Sequence, residues 1–564
     1  MAATEDFGIR ALGGWIRQVL APDAAYVRLA VVYGLAISLL SLATPISVQL
    51  LINSVASLAL PAPLFTLSAV LFLLLVVAGL LSAARAHLMA LFERRVFARI
   101  VAEITLRAVH AQNPFFGDTQ KGDLFNRFFD LMAVQKAMPS LLIGAFTILL
   151  QGIVGLTVTS FYHPFFIAFN VTLVLVLFLV WRLWADGAVR TAVEVSHAKH
   201  AAAHWLESVG GSNGFYQSGR HLDFAMDRSE AVTKAYVTAH DRHFRYSFSQ
   251  TVALLLIYAM ASAALLTLGG WLIIQEELSI GQLVAAELIL SGVFYGIAQL
   301  GGYLDVFYEF AASLEELSLF WAIPQENNRS RAAVGPANGE IRMQGVEIGD
   351  HRFDFTVASG EQLVVVAEPG VDRTLALLLK RHSAPEHGMA IIGGADIGAF
   401  DMYRLRSDVF VIDRPTIVEM TIREYLTLAA PGSSERILQA LDCVGLTARI
   451  GRLPKGLDTQ LSSSGWPLAL DEMIALKLAA GVLVAPRVLM LSSLFDLLPA
   501  QRIAPALALL RAAGTTVLRF TSHPRALSLE GWLWMGAREQ HRCDGPDDLV
   551  ALQSDQGTAH ALSA

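Results

Sequence analysis

Six long apolar stretches fill most of the first 300 residues, over roughly 27–52, 64–92, 140–161, 163–184, 249–274 and 282–304. Each is near or above the length that crosses a bilayer. Backbone in hydrocarbon finds no water to bond, so a chain built this way folds there as helices. Only 16% of the 564 residues are charged, against about 25% in soluble domains, so much of the surface faces lipid. Residues 1–24 precede the first stretch. Within them FGIRALGGWIRQVL (7–20) is amphipathic and reads as a helix lying along the membrane surface. Glu5 and Asp6 stand where a secretory signal would be basic, so no such signal is expected. The formal net charge of −7 argues against a nucleic-acid partner. Cys443 and Cys543 form no ligand-spaced pair, so neither a metal site nor a disulfide framework is indicated.

Loop charge sets the expected orientation. The segment between the second and third spans carries Arg94, Arg95, Arg99, Arg107, Lys121, Arg127 and Lys136. The segment between the fourth and fifth is equally basic, and the other three connections contain no Lys or Arg. The positive-inside rule then places both long segments and both termini in the cytoplasm. Helical periodicity continues through LMALFERRVFARIVAEITLRAV, so the helices should run well past the membrane. Pro114, Gly117 and Gly122 mark the turn of the first hairpin, and GGSNGFYQSGRHLDF marks the second. Several polar residues sit in or beside the spans, including Gln49, Asn53, Arg85, His87, Gln151, Gln299 and Glu287. Glu287, six residues into the last span, is a candidate for a substrate or gating role; helix–helix hydrogen bonding or contact with water at the outer interface is the competing reading.

Hydrophobicity collapses at AIPQENNRSRAAVGPA, so residues 323–338 read as a linker. From 339 to 564, EQLVVVA, MAIIGG, DVFVI, RVLMLS and TTVLRF alternate with helical patterns. Strands alternating with helices predict a parallel sheet in an α/β domain. The run GEQLVVVAEPGVDRTL has the layout of a phosphate-binding loop, a buried strand leading through a turn into a helix. Such loops work because backbone N–H groups and a helix N-terminus face the anion, and a lysine reaches the terminal phosphates. Here Gly370 keeps a core glycine place, Ala367 and Asp372 replace two others, Arg373 stands at the lysine and Thr374 at the metal-binding hydroxyl. Glu368 and Asp372 add negative charge where phosphate would sit. The loop is thus either a weak nucleotide site or a turn retained only for the fold.

The whole plan resembles an ABC exporter half-transporter, a six-helix membrane domain (25–322) fused to a P-loop NTPase-like domain. FFGDTQKGDLFNRF looks like the first coupling region, with Gly122, Asp123 and Arg127 in matching places, and LSIGQLVAA with Gly281 resembles the start of the sixth span. ATPISVQLLINSV is similar to bacterial peptide and type I secretion exporters. In the C-terminal part, GMAIIGGADIGAFDMYRLRSDVFVI, TIREYL, LPKGLDT and APRVLML resemble the family's framework segments.

The catalytic positions implied by that resemblance are altered. The Q-loop glutamine is Asp413, which lacks the amide donor and reads as a surface turn. The signature is Leu468-Ala469-Leu470-Asp471-Glu472, with both glycines gone and two carboxylates facing the phosphate position. The Walker B acids are Ser492 and Ser493, which supply neither an anionic metal ligand nor a base near pH 7. Nearby Asp496 is the acid a shifted register would recruit. His523 matches the switch histidine. No adenine-stacking aromatic stands out near 345–355, where Phe353 and Phe355 alternate as core-facing strand residues. The resemblance implies a dimer in a bacterial-type inner membrane, homomeric or with a second half-transporter, with ATP and Mg²⁺ held weakly and hydrolysed poorly or not at all. Cargo would be a peptide, protein or lipid, and a periplasmic adaptor is a further implied partner. A non-catalytic scaffold or regulatory subunit of a transport or secretion complex is the second reading.

Overall fold

The structure, a computed structural model, describes residues 9–58, 61–112, 121–326, 335–430, 434–526 and 529–552. The chain divides into two compact units, Met1–Glu326 and Asn327–Ala564. The segment expected as a linker straddles that division, and its residues 327–334 lie outside the described residues. So do residues 113–120 of the coupling-like segment and residues 1–8.

Among the described residues of the first unit, six helical segments are long and apolar enough to cross a membrane. The second span belongs to a continuous helix Pro61–Val109, the fourth to Pro164–Gly211, the fifth to Gly219–Ile274 and the sixth to Ile280–Ser318. At 1.5 Å per residue the 56-residue fifth helix runs about 84 Å, far beyond the roughly 30 Å of hydrocarbon. The helical extensions read from periodicity are therefore present.

The first and third spans are irregular, for a local reason. Helices Ala24–Leu40 and Ala43–Leu58 are interrupted at Ser41–Leu42. Pro45 has no N–H to return to the carbonyl of Ser41, and the Ser41 hydroxyl donates to the carbonyl of Ser38 at 2.7 Å instead. Pro139 ends the helix Asp130–Pro139, and a π-helical stretch Ser140–Ala145 follows before Phe146–Ser160. Helix starts follow capping chemistry. Pro164 occupies the first turn behind His163, and Ser279 with Gln282 forms a reciprocal capping box.

Small and polar residues hold the spans together, as expected where lipid removes the hydrophobic drive between helices. A side chain at Gly296 would come within 2.6 Å of Ile148, and one at Gly301 within 2.7 Å of Thr251. Asn170 donates to the carbonyl of Leu156 at 2.9 Å and to Thr159 at 3.1 Å. Arg85, buried, donates to Thr147 at 2.6 Å, and just past the sixth span Tyr308 donates to Gln250 at 2.8 Å. Glu287 is half-buried and accepts from Ser291 one turn on at 2.8 Å.

The amphipathic helix Ile9–Leu20 seats Leu12 and Val19 in the buried core beside Phe92 and Val96. Just after it, Asp23 is fully buried and accepts from Arg95 at 3.0 Å and Arg99 at 2.8 Å. Arg95 is largely exposed and loses little without Asp23, but Arg99 is only 20% exposed at its side chain and would be left part-buried without its carboxylate. Asp23→Ala should therefore cost about 3 kcal/mol of stability, visible as a lowered midpoint of thermal aggregation in lipid nanodiscs; a midpoint equal to that of the unmodified chain would contradict this account.

The second unit is built on two sheets. An antiparallel sheet has the order β2-β1-β4-β5, from His351–Val357, Ile341–Ile348, His387–Ile392 and Ala395–Asp396. The larger sheet has the order β10-β9-β3-β8-β7-β6. Its strands are Gln362–Ala367 (β3), Val409–Ile412 (β6), Val488–Leu491 (β7), Thr516–Phe520 (β8), Gly531–Met535 (β9) and Gln540–Cys543 (β10). All its pairings are parallel except β9 with β10. β7 and β8 are buried throughout, as strands covered on both faces must be. The antiparallel sheet and the β9–β10 edge were not anticipated. Phe353 and Phe355 point into the core, as their alternation implied.

Candidate functional site

The parallel sheet brings the altered motif positions to the C-terminal ends of adjacent strands. β3 delivers the phosphate-loop segment, β8 the His523 loop, β7 the paired serines and β6 Asp413. This edge is where open α/β sheets place their ligands.

After β3 only Glu368, Pro369 and Gly370 separate strand from helix Val371–Leu379. Gly370 has φ +90°, a left-handed conformation that glycine adopts without a Cβ clash. Two of the short loop's N–H groups are already engaged. That of Glu368 donates to Met535 at 2.9 Å, and that of Val371 donates to the Glu368 carbonyl at 3.2 Å. The Glu368 carboxylate turns to β9 and accepts from the Ala537 N–H at 2.8 Å. The Thr374 hydroxyl donates back to the Gly370 carbonyl at 3.1 Å and lies 3.4 Å from His351 Nδ1. Asp372 occupies the first helical turn, where the positive end of the dipole favours a carboxylate, and Arg373 is exposed. His351 was missed in the sequence because its neighbourhood to Thr374 depends on β2 folding over the helix start.

Ser492 follows β7 and is buried, with no hydrogen-bond partner for its hydroxyl among the described residues. Ser493 opens a short turn to Leu497. Asp496, in that turn, is already committed. It accepts from the Thr521 hydroxyl at 2.8 Å and the Ser522 N–H at 2.9 Å, with His523 Nδ1 at 3.7 Å. Its neighbour Arg519 is buried in β8, 4.0 Å away, and burial pushes its guanidinium below the usual arginine range while Asp496 opposes the shift. His523 is exposed.

Asp413 follows β6 in a loop, and its carboxylate is paired with Lys380 at 3.5 Å. Burial pushes the Lys380 ammonium below the ordinary lysine range, and Asp413 acts against that. Lys477 likewise is lowered by burial, and it donates to the carbonyls of Arg414, at 2.7 Å, and Thr416. These two lysines tie the loop after β6 to the helices on either side.

The signature-like segment has closed on itself. Helix Leu470–Val484 begins after Ala469, whose side chain offers no acceptor. Glu472 reaches back to accept from the Ala469 N–H at 3.0 Å, and Arg449 holds the same carboxylate at 2.9 Å. Asp471 pairs with Arg502 at 3.2 Å. The positive end of this helix is thereby filled by the chain's own carboxylates, each with an arginine partner. Magnesium requires hard anionic oxygens. At the ends of β6 and β7 the described acids, Asp413 and Asp496, are already committed, so the residues present do not fit a metal–phosphate centre.

The Asp413–Lys380 pair yields a pH test. Asp413→Ala should cost on the order of 1–2 kcal/mol at neutral pH, between surface and buried pairs. The folded-state pKa of Lys380 is lowered, so on raising pH the folded form sheds this proton first. Stability then rises with pH, and the deficit of the variant should shrink toward about pH 10, the ordinary lysine value. Denaturant titration followed by tryptophan fluorescence at the two pH values checks this.

Comparison with known proteins follows the same division. Residues 27–297 match the ABC transporter transmembrane region. The leukotoxin export ATP-binding protein of Aggregatibacter actinomycetemcomitans is 23% identical over 66% of this chain and 55% of its own length. The exotoxin translocation ATP-binding protein of Pasteurella aerogenes is 21% identical over 80% of this chain and 65% of its own. The chain thus spans between 55% and 65% of the length of these curated relatives. In fold, a bacterial Atm1-family ABC exporter solved with ATP bound superposes with a TM-score of 0.78 at 16% identity, over 97% of this chain and 99% of that one. Among the described residues six helices long and apolar enough to cross a membrane precede an α/β unit, and the chain shares the fold of ABC exporter half-transporters, with the match to the ABC transporter transmembrane region confined to residues 27–297.

Proposed function

We propose that this chain is a dimeric transport subunit of the exporter type whose own nucleotide domain binds ATP weakly and hydrolyses it poorly or not at all. The observation that carries this reading is the end of β7, where Ser492 and Ser493 stand in place of an acid pair. Phosphoryl transfer needs metal neutralisation and a residue that positions or deprotonates water, and a serine does neither near pH 7. The self-capped helix at Ala469 supports it, since its first turn carries Asp471 and Glu472 at the positions that the resemblance assigns to the signature facing a partner's ATP phosphate. In a homodimer both composite sites carry every defect. In a heterodimer an intact partner still meets this chain's signature segment in one site and its Gly370, Arg373 and Thr374 in the other. The relatives' names, leukotoxin export and exotoxin translocation, favour a peptide or protein cargo; a periplasmic adaptor is the additional partner this reading implies. The basic long connections favour an orientation with both termini cytoplasmic, and the bacterial relatives favour an inner membrane.

A second reading has a specific support. Carboxylates satisfied by Arg449 and Arg502 stabilise a helix start with no phosphate on it, which suits a scaffold or regulatory subunit that never engages nucleotide. ATP binding and hydrolysis by the purified chain in lipid nanodiscs separate the readings. Measurable binding of a fluorescent ATP analogue, weakened by Arg373→Ala, with turnover indistinguishable from that variant, supports the weak-site subunit. No binding at all supports the scaffold. Turnover at ordinary transporter rates, about 1–100 s⁻¹ for phosphoryl-transfer enzymes, that Arg373→Ala abolishes would overturn both.

A further inference from the structure

Three helical elements meet in a buried cluster of charge in the first unit. His197 lies 33 residues beyond Pro164 in its helix, and Glu315 lies 35 residues beyond Ile280 in its own. At 1.5 Å per residue both are about 50 Å along, past the roughly 30 Å of hydrocarbon. The cluster therefore belongs to the helical extensions and not to the spans. Glu315 is buried, and its Oε2 lies 3.1 Å from His197 Nε2. Glu316 is fully buried; its Oε2 accepts from Arg127. Its other oxygen, Oε1, has no hydrogen-bond partner among the described residues. That oxygen points among imidazoles, 3.7 Å from His197 Nε2 and 4.0 Å from His200 Nε2. His200 is itself held by Asp130 at 2.5 Å, and Lys199 holds the second Asp130 oxygen at 2.7 Å.

Two features of this arrangement need explaining. A fully buried carboxylate oxygen with no partner is costly. The cluster's ion pairs also set three carboxylates, Asp130, Glu315 and Glu316, against two permanent cations, Arg127 and Lys199, so that with His197 and His200 neutral one negative charge is left over. A cation between His197, Glu315 and Glu316 resolves both. A tetrahedral ion with bonds of about 2.1 Å needs ligand atoms about 3.4 Å apart. The two His197 distances, 3.1 and 3.7 Å, bracket that spacing, and all three ligand atoms lie within 4.8 Å of one another. One imidazole and two carboxylates suit a divalent first-row transition ion more than calcium or magnesium, which favour all-oxygen sets.

We propose that His197 Nε2, Glu315 Oε2 and Glu316 Oε1 form a binding site for a divalent transition-metal ion of the zinc class, clasping the extension of the fourth span to that of the sixth. His197 is 40% exposed at its side chain, which gives the ion an approach and leaves a fourth position for water. Asp130 and Lys199 fix His200 behind the site. The clasp is independent of nucleotide, so it stands or falls apart from the proposed transport role.

The test uses the full chain in lipid nanodiscs, stripped with chelator and dialysed against zinc, with metal content measured per chain. One zinc per chain is expected, with an upward shift of the thermal midpoint and, on cobalt substitution, the visible absorption of a tetrahedral centre. His197→Gln and Glu315→Gln should each weaken zinc at least tenfold and remove the cobalt band. His243→Gln, which alters a histidine outside the set, should change neither. If Glu315→Gln fails to fold, the part-exposed His197→Gln decides alone. Absence of zinc from the unmodified chain, or equal zinc affinity in His197→Gln, overturns the assignment and leaves the cluster as a histidine–carboxylate proton network.

Discussion

Backbone that enters hydrocarbon must close its hydrogen bonds within its own segment, and that requirement shapes everything up to Glu326. It makes the spans helices. Because the helices do not stop at the membrane surface, their extensions must pack on one another in water. There the chain switches from glycine contacts such as Gly296 on Ile148 to buried charge, with Asp23 between Arg95 and Arg99, and Glu316 against Arg127. The irregular points fall where the ladder loses a donor, at Pro45 and Pro139.

The second unit keeps the scaffold of a phosphate-binding fold while its polar groups are spent on one another. An anion site depends on unsatisfied N–H groups at a helix start. At Ala469 the chain's own Glu472 takes that role, and at the end of β3 the short loop bonds to β9 and to itself. The acids near β6 and β7 meet the same fate, Asp413 on Lys380 and Asp496 on the loop after β8. Buried and half-buried charges persist in such a domain only when paired.

Much of this architecture is legible in the residues themselves. The apolar runs locate the spans, and the strand-like segments EQLVVVA, MAIIGG, DVFVI, RVLMLS and TTVLRF correspond to β3, β4, β6, β7 and β8, because short apolar runs between turn signals are a local property. Phe353 and Phe355 show their core orientation through simple alternation. The break at Ser41–Leu42 was not read, although Pro45 carried its signal. β9 was missed because GWLWM owes its place in the sheet to β3, far away in sequence, and β10 because the short polar run QHRC pairs on β9 as the second arm of a hairpin. The charged partners were equally hidden. Arg502 meets Asp471 across 31 residues and Lys199 meets Asp130 across 69, separations at which no periodicity speaks.

Sequence alone determined that six apolar spans precede an α/β domain, and it named the residues to examine as candidate motif positions. Hydrophobicity and residue identity are properties of each stretch by itself, so no fold was needed to read them. Tertiary structure decided what neutralises each displaced carboxylate, that His351 reaches Thr374, and that His197, Glu315 and Glu316 share one buried space. Coulomb and hydrogen-bond energies depend on distances of a few ångströms between residues far apart in the chain, and only packing sets those distances.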